Sequence, residues 1–311
     1  MMVSELTNNL FSDNTGDKLF IFGNGFDINL GFPTKYEDFF KSNQFPFVHN
    51  DSTCHTLGHY VYEKGYLQKW YDLENLLAEY GSGIEAMSLA DVQGDKEDYL
   101  RLVESLADYL RTIDFKHPSI DSIAARVLRA ADDQLVPPTI YSFNYTDFEP
   151  VSKALGINYS EVRHVHGSLK NGDIVLGVGE YVKLGPNASY LHKTSSIAYN
   201  SSGILSALET HDTIIIFGLS LSQVDYPYFE DFFRDVSYRK YTGERKKYIG
   251  VFTYDEMSRL EILDIMRSMN SGLIKLMGYC DFDIIRTMDD SDYLKVEEVI
   301  EHLSKHCKVG V

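Results

Sequence analysis

The stretch from Lys18 to Phe40, KLFIFGNGFDINLGFPTKYEDFF, constrains the chain more than any other. Lys18–Phe22 is a short apolar run that breaks at Gly23-Asn24-Gly25, the pattern of a buried strand entering a tight turn. Gly31-Phe32-Pro33 follows, and Thr34 and Glu37 have the spacing of a capping box that opens a helix. Tyr36, Phe39 and Phe40 give that helix an apolar face. The segment therefore reads as strand, glycine turn, loop, helix. Two closely spaced glycines after a strand let the backbone approach a phosphate, with N–H groups aimed at the anion. Ile28 stands where the third glycine of the dinucleotide fingerprint would fall, which tells against a hydride-transfer dehydrogenase. Asp27 suits a ribose hydroxyl better than a phosphate. Glycines after a strand also serve as plain turns, so this segment alone leaves nucleotide binding open.

Further strands are expected at Thr139–Phe143, Val162–Val165, Asp173–Val178, Thr213–Phe217, Tyr248–Phe252 and Ile274–Met277. Helical patterning falls at Asn75–Tyr80, Asp98–Ile113, Ser119–Ala131, Ser201–Glu209, Asp225–Val236, Glu256–Ser268 and Asp292–His306. Continuous apolar strands alternating with helices imply an α/β fold, a Rossmann-like parallel sheet with helices on both faces. Between the first two strands lies a long helical stretch, roughly 41–135, too long for a simple crossover; it reads as an insertion after the first βα unit. Residues 1–17 are expected to form a loose arm, and 18–311 a single domain.

The 311 residues carry a net charge of -17, which argues against broad nucleic-acid binding or adsorption to an anionic membrane. Cys54, Cys280 and Cys307 are far apart and form no C-x-x-C pair. His55 and His59 share a helical face without a nearby third ligand, so no metal site is expected. The first eighteen residues have no apolar signal-peptide core, and no apolar run reaches membrane-spanning length. A cytoplasmic protein is expected.

The polar residues with chemical potential all fall where a strand ends: Gly23–Asp27, Asn144–Asp147, His166–Ser168 and Gly218–Asp225. In a parallel sheet these four loops converge on one crevice at the carboxyl ends of the strands. Each member also has a plainer role. Asn144 suits an Asx-turn, Ser220 and Asp225 suit helix caps, Tyr145 suits packing, and His164 competes with His166 for any catalytic part.

The motifs FGNGFDINLGFPTKYEDFF, WYDLE at Trp70–Glu74, SFNYTD, HVHGSL and FGLSLSQVDYPYF, spanning residues 20 to 229, resemble those of the AbiH proteins of bacterial abortive infection against phage. That family is similar in turn to sirtuin-like nucleotide-binding domains. The resemblance implies NAD, as substrate or ligand, in the crevice. It implies that Gly23 and Gly25, with Asn24 and Phe26 in the same turn, lie under the dinucleotide phosphates. Asn144 would hold a water and the nicotinamide ribose, beside Tyr145, and His166 would act as base. Gly218 and Ser220 would contact the cofactor ribose and phosphate, near Asp225. Asp27 replaces the small residue usual after the glycine turn, and the four-cysteine zinc module of sirtuin deacetylases is absent.

The expectation is a defence effector that cleaves the nicotinamide–ribose bond of NAD. Histidine supplies a base of near-neutral pKa and Asn144 positions the water. Such an activity must be off in healthy cells, so control by oligomerisation, a partner or a phage-derived trigger is a corollary. The rival is a non-catalytic sensor of NAD or ADP-ribose, or an interaction module, whose helical insertion meets a partner. A third reading keeps enzymatic activity but changes the substrate, to another nucleotide or a cyclic signal derived from one.

Overall fold

The computed structural model describes residues 17–47, 56–69, 72–83, 89–132, 136–221, 225–238, 246–269 and 273–304. The expected arm, Asp17 apart, lies outside the described residues, as do His55, Cys54, Cys307 and the Trp70-Tyr71 opening of WYDLE.

Six strands form one all-parallel sheet: β1 (Lys18–Phe22), β2 (Thr139–Ser142), β3 (Glu161–His164), β4 (Thr213–Phe217), β5 (Lys247–Thr253) and β6 (Cys280–Arg286). Their order across the sheet is β3-β2-β1-β4-β5-β6. This is the doubly wound Rossmann order, whose direction reverses between β1 and β4. Phe20 of β1 sits opposite both Ile140 and Ile215. The strands read as continuous apolar runs because both faces are covered: Leu19, Ile21, Ile214 and Ile216 pack into one apolar cluster, and Phe20, Phe22, Ile215 and Phe217 into another.

Chain order gives α1 (Asn24–Asn29), α2 (Tyr36–Phe40), α3 (Leu57–Val61), which runs on as a π-helical turn at Tyr62–Leu67, then α4 (Leu73–Gly83), α5 (Leu89–Arg111) and α6 (Ile123–Ala131). After β2 come α7 (Phe148–Leu155), α8 (Ile204–Thr210), α9 (Tyr226–Tyr238), α10 (Glu256–Met269), α11 (Leu273–Tyr279) and α12 (Tyr293–Ser304). α8 to α11 supply the first cluster; α6, α7 and α12 supply the second. α3, α4 and α5, between β1 and β2, bury Leu57, Leu73, Leu76, Leu102 and Leu106 in a third apolar cluster, together with residues of α2. Among the described residues no helix is long and apolar enough to cross a membrane.

Four local expectations are corrected. The glycine turn is itself helical: Gly23 is the N-cap of α1. The capping box does not form, since α2 is preceded by Lys35 without a side-chain cap, and Thr34 Oγ1 bonds Asn24 Oδ1 at 2.5 Å instead. Asp173–Val178 is not a strand. Its apolar residues Ile174, Leu176 and Val178 fill the third core, and its backbone bonds His166 O and Leu191 O. Ile274–Met277 belongs to α11, and the last strand is β6. In β6 Asp281 and Asp283 interrupt the apolar run, as an edge strand permits.

Candidate functional site

The C-terminal ends of β1, β2 and β4 open on a crevice of about 660 Å³, within the range of small-ligand sites. It lies at the reversal of strand order, where doubly wound sheets take ligands. Gly23, Asn24, Asp27, Asn144, Tyr145, His166, Gly218, Ser220 and Asp225 all line it. All four strand-end loops thus converge although they are separated by up to two hundred residues. Two expected contacts do not reach the crevice. Phe26 points into the core below, stacked on Phe22 with ring centroids 3.8 Å apart and edge-on to Phe217. Gly25 packs against the β4 exit: its N–H donates to Gly218 O at 2.9 Å, as Gly23 N–H donates to Phe217 O at 2.9 Å. Those two N–H groups hold the loops together and do not face an anion.

Asp27, on α1, is buried at 3% exposure and accepts hydrogen bonds from Thr146 Oγ1 and the Asn144 amide. Removal from water outweighs both bonds and pushes its carboxyl up to about 7. Asn144 makes no Asx-turn; Ser142 Oγ closes that turn by accepting from the Asn144 N–H at 3.1 Å. The Asn144 amide instead spans two loops, donating to Gly23 O at 2.9 Å and to Asp27. Its Oδ1 is left to receive a hydroxyl or water.

His166 follows β3, where Gly167, at φ 72°, turns the chain so that His166 O accepts from Val175 N–H at 2.8 Å. The ring is 4% exposed and hydrogen-bonded to the Phe143 carbonyl, while Nε2 is buried with no partner. Nδ1 is therefore the donor, and Nε2 keeps its lone pair. Burial, reinforced by Lys193, holds the imidazole well below its usual pKa, so the ring is neutral but a weaker base than the near-neutral one expected. His164 is half-buried, bonds Asn144 O through Nδ1 at 3.0 Å, and does not line the crevice. Of the two histidines, His166 is the one on the crevice wall.

Asp225 precedes α9 at 8% exposure, and burial pushes its carboxyl up to about 7 against the pull of Lys193. Tyr145 lines the crevice while its hydroxyl donates to Val175 O at 3.0 Å. Sequence reasoning missed Lys193. Two short 3-10 turns, Ser189–Leu191 and Lys193–Ser195, and a bond from its N–H to Val178 O at 3.0 Å seat it at the crevice. Its side chain is 3% exposed and its Nζ lies 3.0 Å from Glu74 Oε1. Glu74 comes from α4 of the helical insertion and also accepts from Tyr36 Oη at 3.4 Å. Only the membership of Glu74 in WYDLE signalled this in the sequence.

Among the described residues no group of three or more His, Cys, Asp or Glu side chains is arranged to hold a metal ion. The family model described as bacteriophage abortive infection AbiH matches residues 19–243. No curated protein matches the chain.

Proposed function

The chain belongs to the AbiH family of bacteriophage abortive infection proteins, and within that defence role we propose that its crevice hydrolyses the N-glycosidic bond of a nucleotide, NAD in first place. The observation that carries the reading is His166 Nε2, a buried, unpartnered lone pair beside a cavity of about 660 Å³. A buried polar atom without a partner costs stability, so one on the wall of a crevice is a place that a ligand can complete.

Hydrolysis of the nicotinamide–ribose bond breaks C–N with the electron pair leaving on neutral nicotinamide. A water adds to the ribose carbon and gives up a proton. Nε2 of His166 is suited to take that proton, from the water or first from a ribose hydroxyl, because the ring is neutral and its other nitrogen is anchored on Phe143. Asn144 Oδ1 suits a water or ribose hydroxyl, its amide being fixed by Gly23 and Asp27. Asp27, ionised above about pH 7, would accept from a ribose hydroxyl and oppose the positive charge that develops on the sugar. Nicotinamide release by the purified protein, beside His166→Ala and Asn144→Ala, tests the reading. Release abolished by both supports it. Release untouched by either removes the assignment.

A second reading, a sensor that binds a nucleotide without breaking it, draws on the join between crevice and insertion at Glu74 and Lys193. Binding of ADP-ribose or NAD with no turnover, phage components included, would favour it.

A further inference from the structure

We propose that Lys193 is the anion-binding residue of the crevice and that Glu74 holds its place until a nucleotide phosphate displaces it. The proposal rests on the reading of the crevice as a nucleotide site. Among the described residues that line the crevice, the carboxyl groups are Asp27, Asp72, Glu74, Asp225 and Glu261, and Lys193 is the only lysine or arginine. A di- or polyphosphate entering this surface is repelled at most points. It also lacks the glycine-turn N–H groups of Gly23 and Gly25, which are spent on Phe217 O and Gly218 O. The ammonium of Lys193 is the one lysine or arginine charge on that lining to attract it.

Its setting fits that task. At 3% exposure Lys193 is shielded from water, where a charge-assisted bond to phosphate is stronger than at a surface. The side chain of its partner, Glu74, is 21% exposed, so the carboxylate can turn toward solvent when an anion takes its position. Such a buried cation is costly without a counter-charge, and Glu74 supplies one in the ligand-free state. Asp27 and Asn144, which also line the crevice, carry acceptors that suit sugar hydroxyls. A nucleotide would thus lie with its ribose toward α1 and β2 and its phosphates toward Lys193. Because Glu74 belongs to α4, the same exchange loosens one tie between the insertion and the sheet.

Calorimetric titration with ADP-ribose and, separately, with adenosine tests this on the full chain. Lys193→Gln should weaken ADP-ribose at least tenfold and leave adenosine within about twofold. Glu74→Gln should tighten ADP-ribose, by removing the competing carboxylate. The double variant Lys193→Gln with Glu74→Gln carries neither charge of the pair, which guards against misfolding, and should show the loss seen with Lys193→Gln. Equal weakening of both ligands by Lys193→Gln, or weaker ADP-ribose binding in Glu74→Gln, overturns the proposal and leaves the hydrolase reading standing if nicotinamide release persists. Failure of the wild type to bind either ligand overturns both.

Discussion

Gly25 and Gly218 meet backbone to backbone: the Gly25 N–H donates to Gly218 O at 2.9 Å, and a Cβ on Gly218 would lie 2.4 Å from Gly25 Cα. The contact joins the β1 exit to the β4 exit at the reversal of strand order, so the floor of the crevice depends on neither residue having a side chain. Gly218 also has φ 67°, a conformation that costs other residues energy.

Gly218→Ala is accordingly expected to lose about 2–4 kcal/mol of stability, since the obstructing atoms are backbone and cannot rotate away. Chemical denaturation with far-ultraviolet circular dichroism measures it. A loss under 1 kcal/mol would mean the two loops part easily.

His166→Ala should lower nicotinamide release by roughly 10²–10⁴-fold while ADP-ribose still binds, because the lost group is a base and not an anchor. His164→Ala, which alters a side chain outside the crevice, should retain most of the rate. Initial rates and titration on the same preparations separate the two effects.

Asp27 carries a linked effect on stability. Its carboxyl is raised from 3.8 to about 7 in the folded chain, so between those values the folded state holds a proton that the unfolded state has lost. The contribution is complete below about pH 4 and is lost as pH rises to about 7, by up to ~4 kcal/mol. Asp27→Asn removes that loss. The stability of the variant relative to wild type should therefore climb from pH 4 to pH 7 and then level off. Denaturant midpoints at pH 4.5, 6 and 8 decide it, and a constant difference would contradict the burial argument.

Thr146→Val removes a hydrogen bond that favours ionised Asp27. If release depends on the Asp27 carboxylate, the rate rises through about pH 7 in the wild type, and this limb should move to higher pH in the variant. A full pH–rate profile reads the shift; an unmoved limb would assign it to Asp225 or another group.

Ile215→Ala, at the centre of β4 and wholly buried between Phe20 and Gly250 in register, should cost about 3–4 kcal/mol through the cavity it leaves. Thermal unfolding provides the check, with nicotinamide release below the transition kept near normal.

Much of this molecule was legible in its sequence, and for local reasons. Leu19, Phe20, Ile21 and Phe22 form an uninterrupted apolar run, which suits a strand buried on both faces. That physics identifies β1, β4 and β5 and the parallel sheet, and a parallel sheet brings its strand-end loops to one edge. Hence Asp27, Asn144, His166 and Asp225 can be grouped from the sequence. What failed locally was decided by distant partners. DIVLGV at Asp173–Val178 has the composition of a strand, yet its apolar groups are claimed by the core of the inserted helices. LIKLMGY could follow either period, and Leu276 settled into the cluster under α9 as a helical residue. Phe26 belongs to the glycine turn in sequence but to the core in space, because the helical α1 rotates it away from the crevice. The fate of the glycine N–H groups required the exit of β4. The pairing of Lys193 with Glu74 joins a loop after β3 to the insertion before β2. No spacing encodes such a pair; only chain folding puts a buried cation within reach of its counter-charge. Sequence determined most of the elements and the edge at which they meet. The tertiary structure decided which charges share that edge, because burial and proximity are properties of the packed chain.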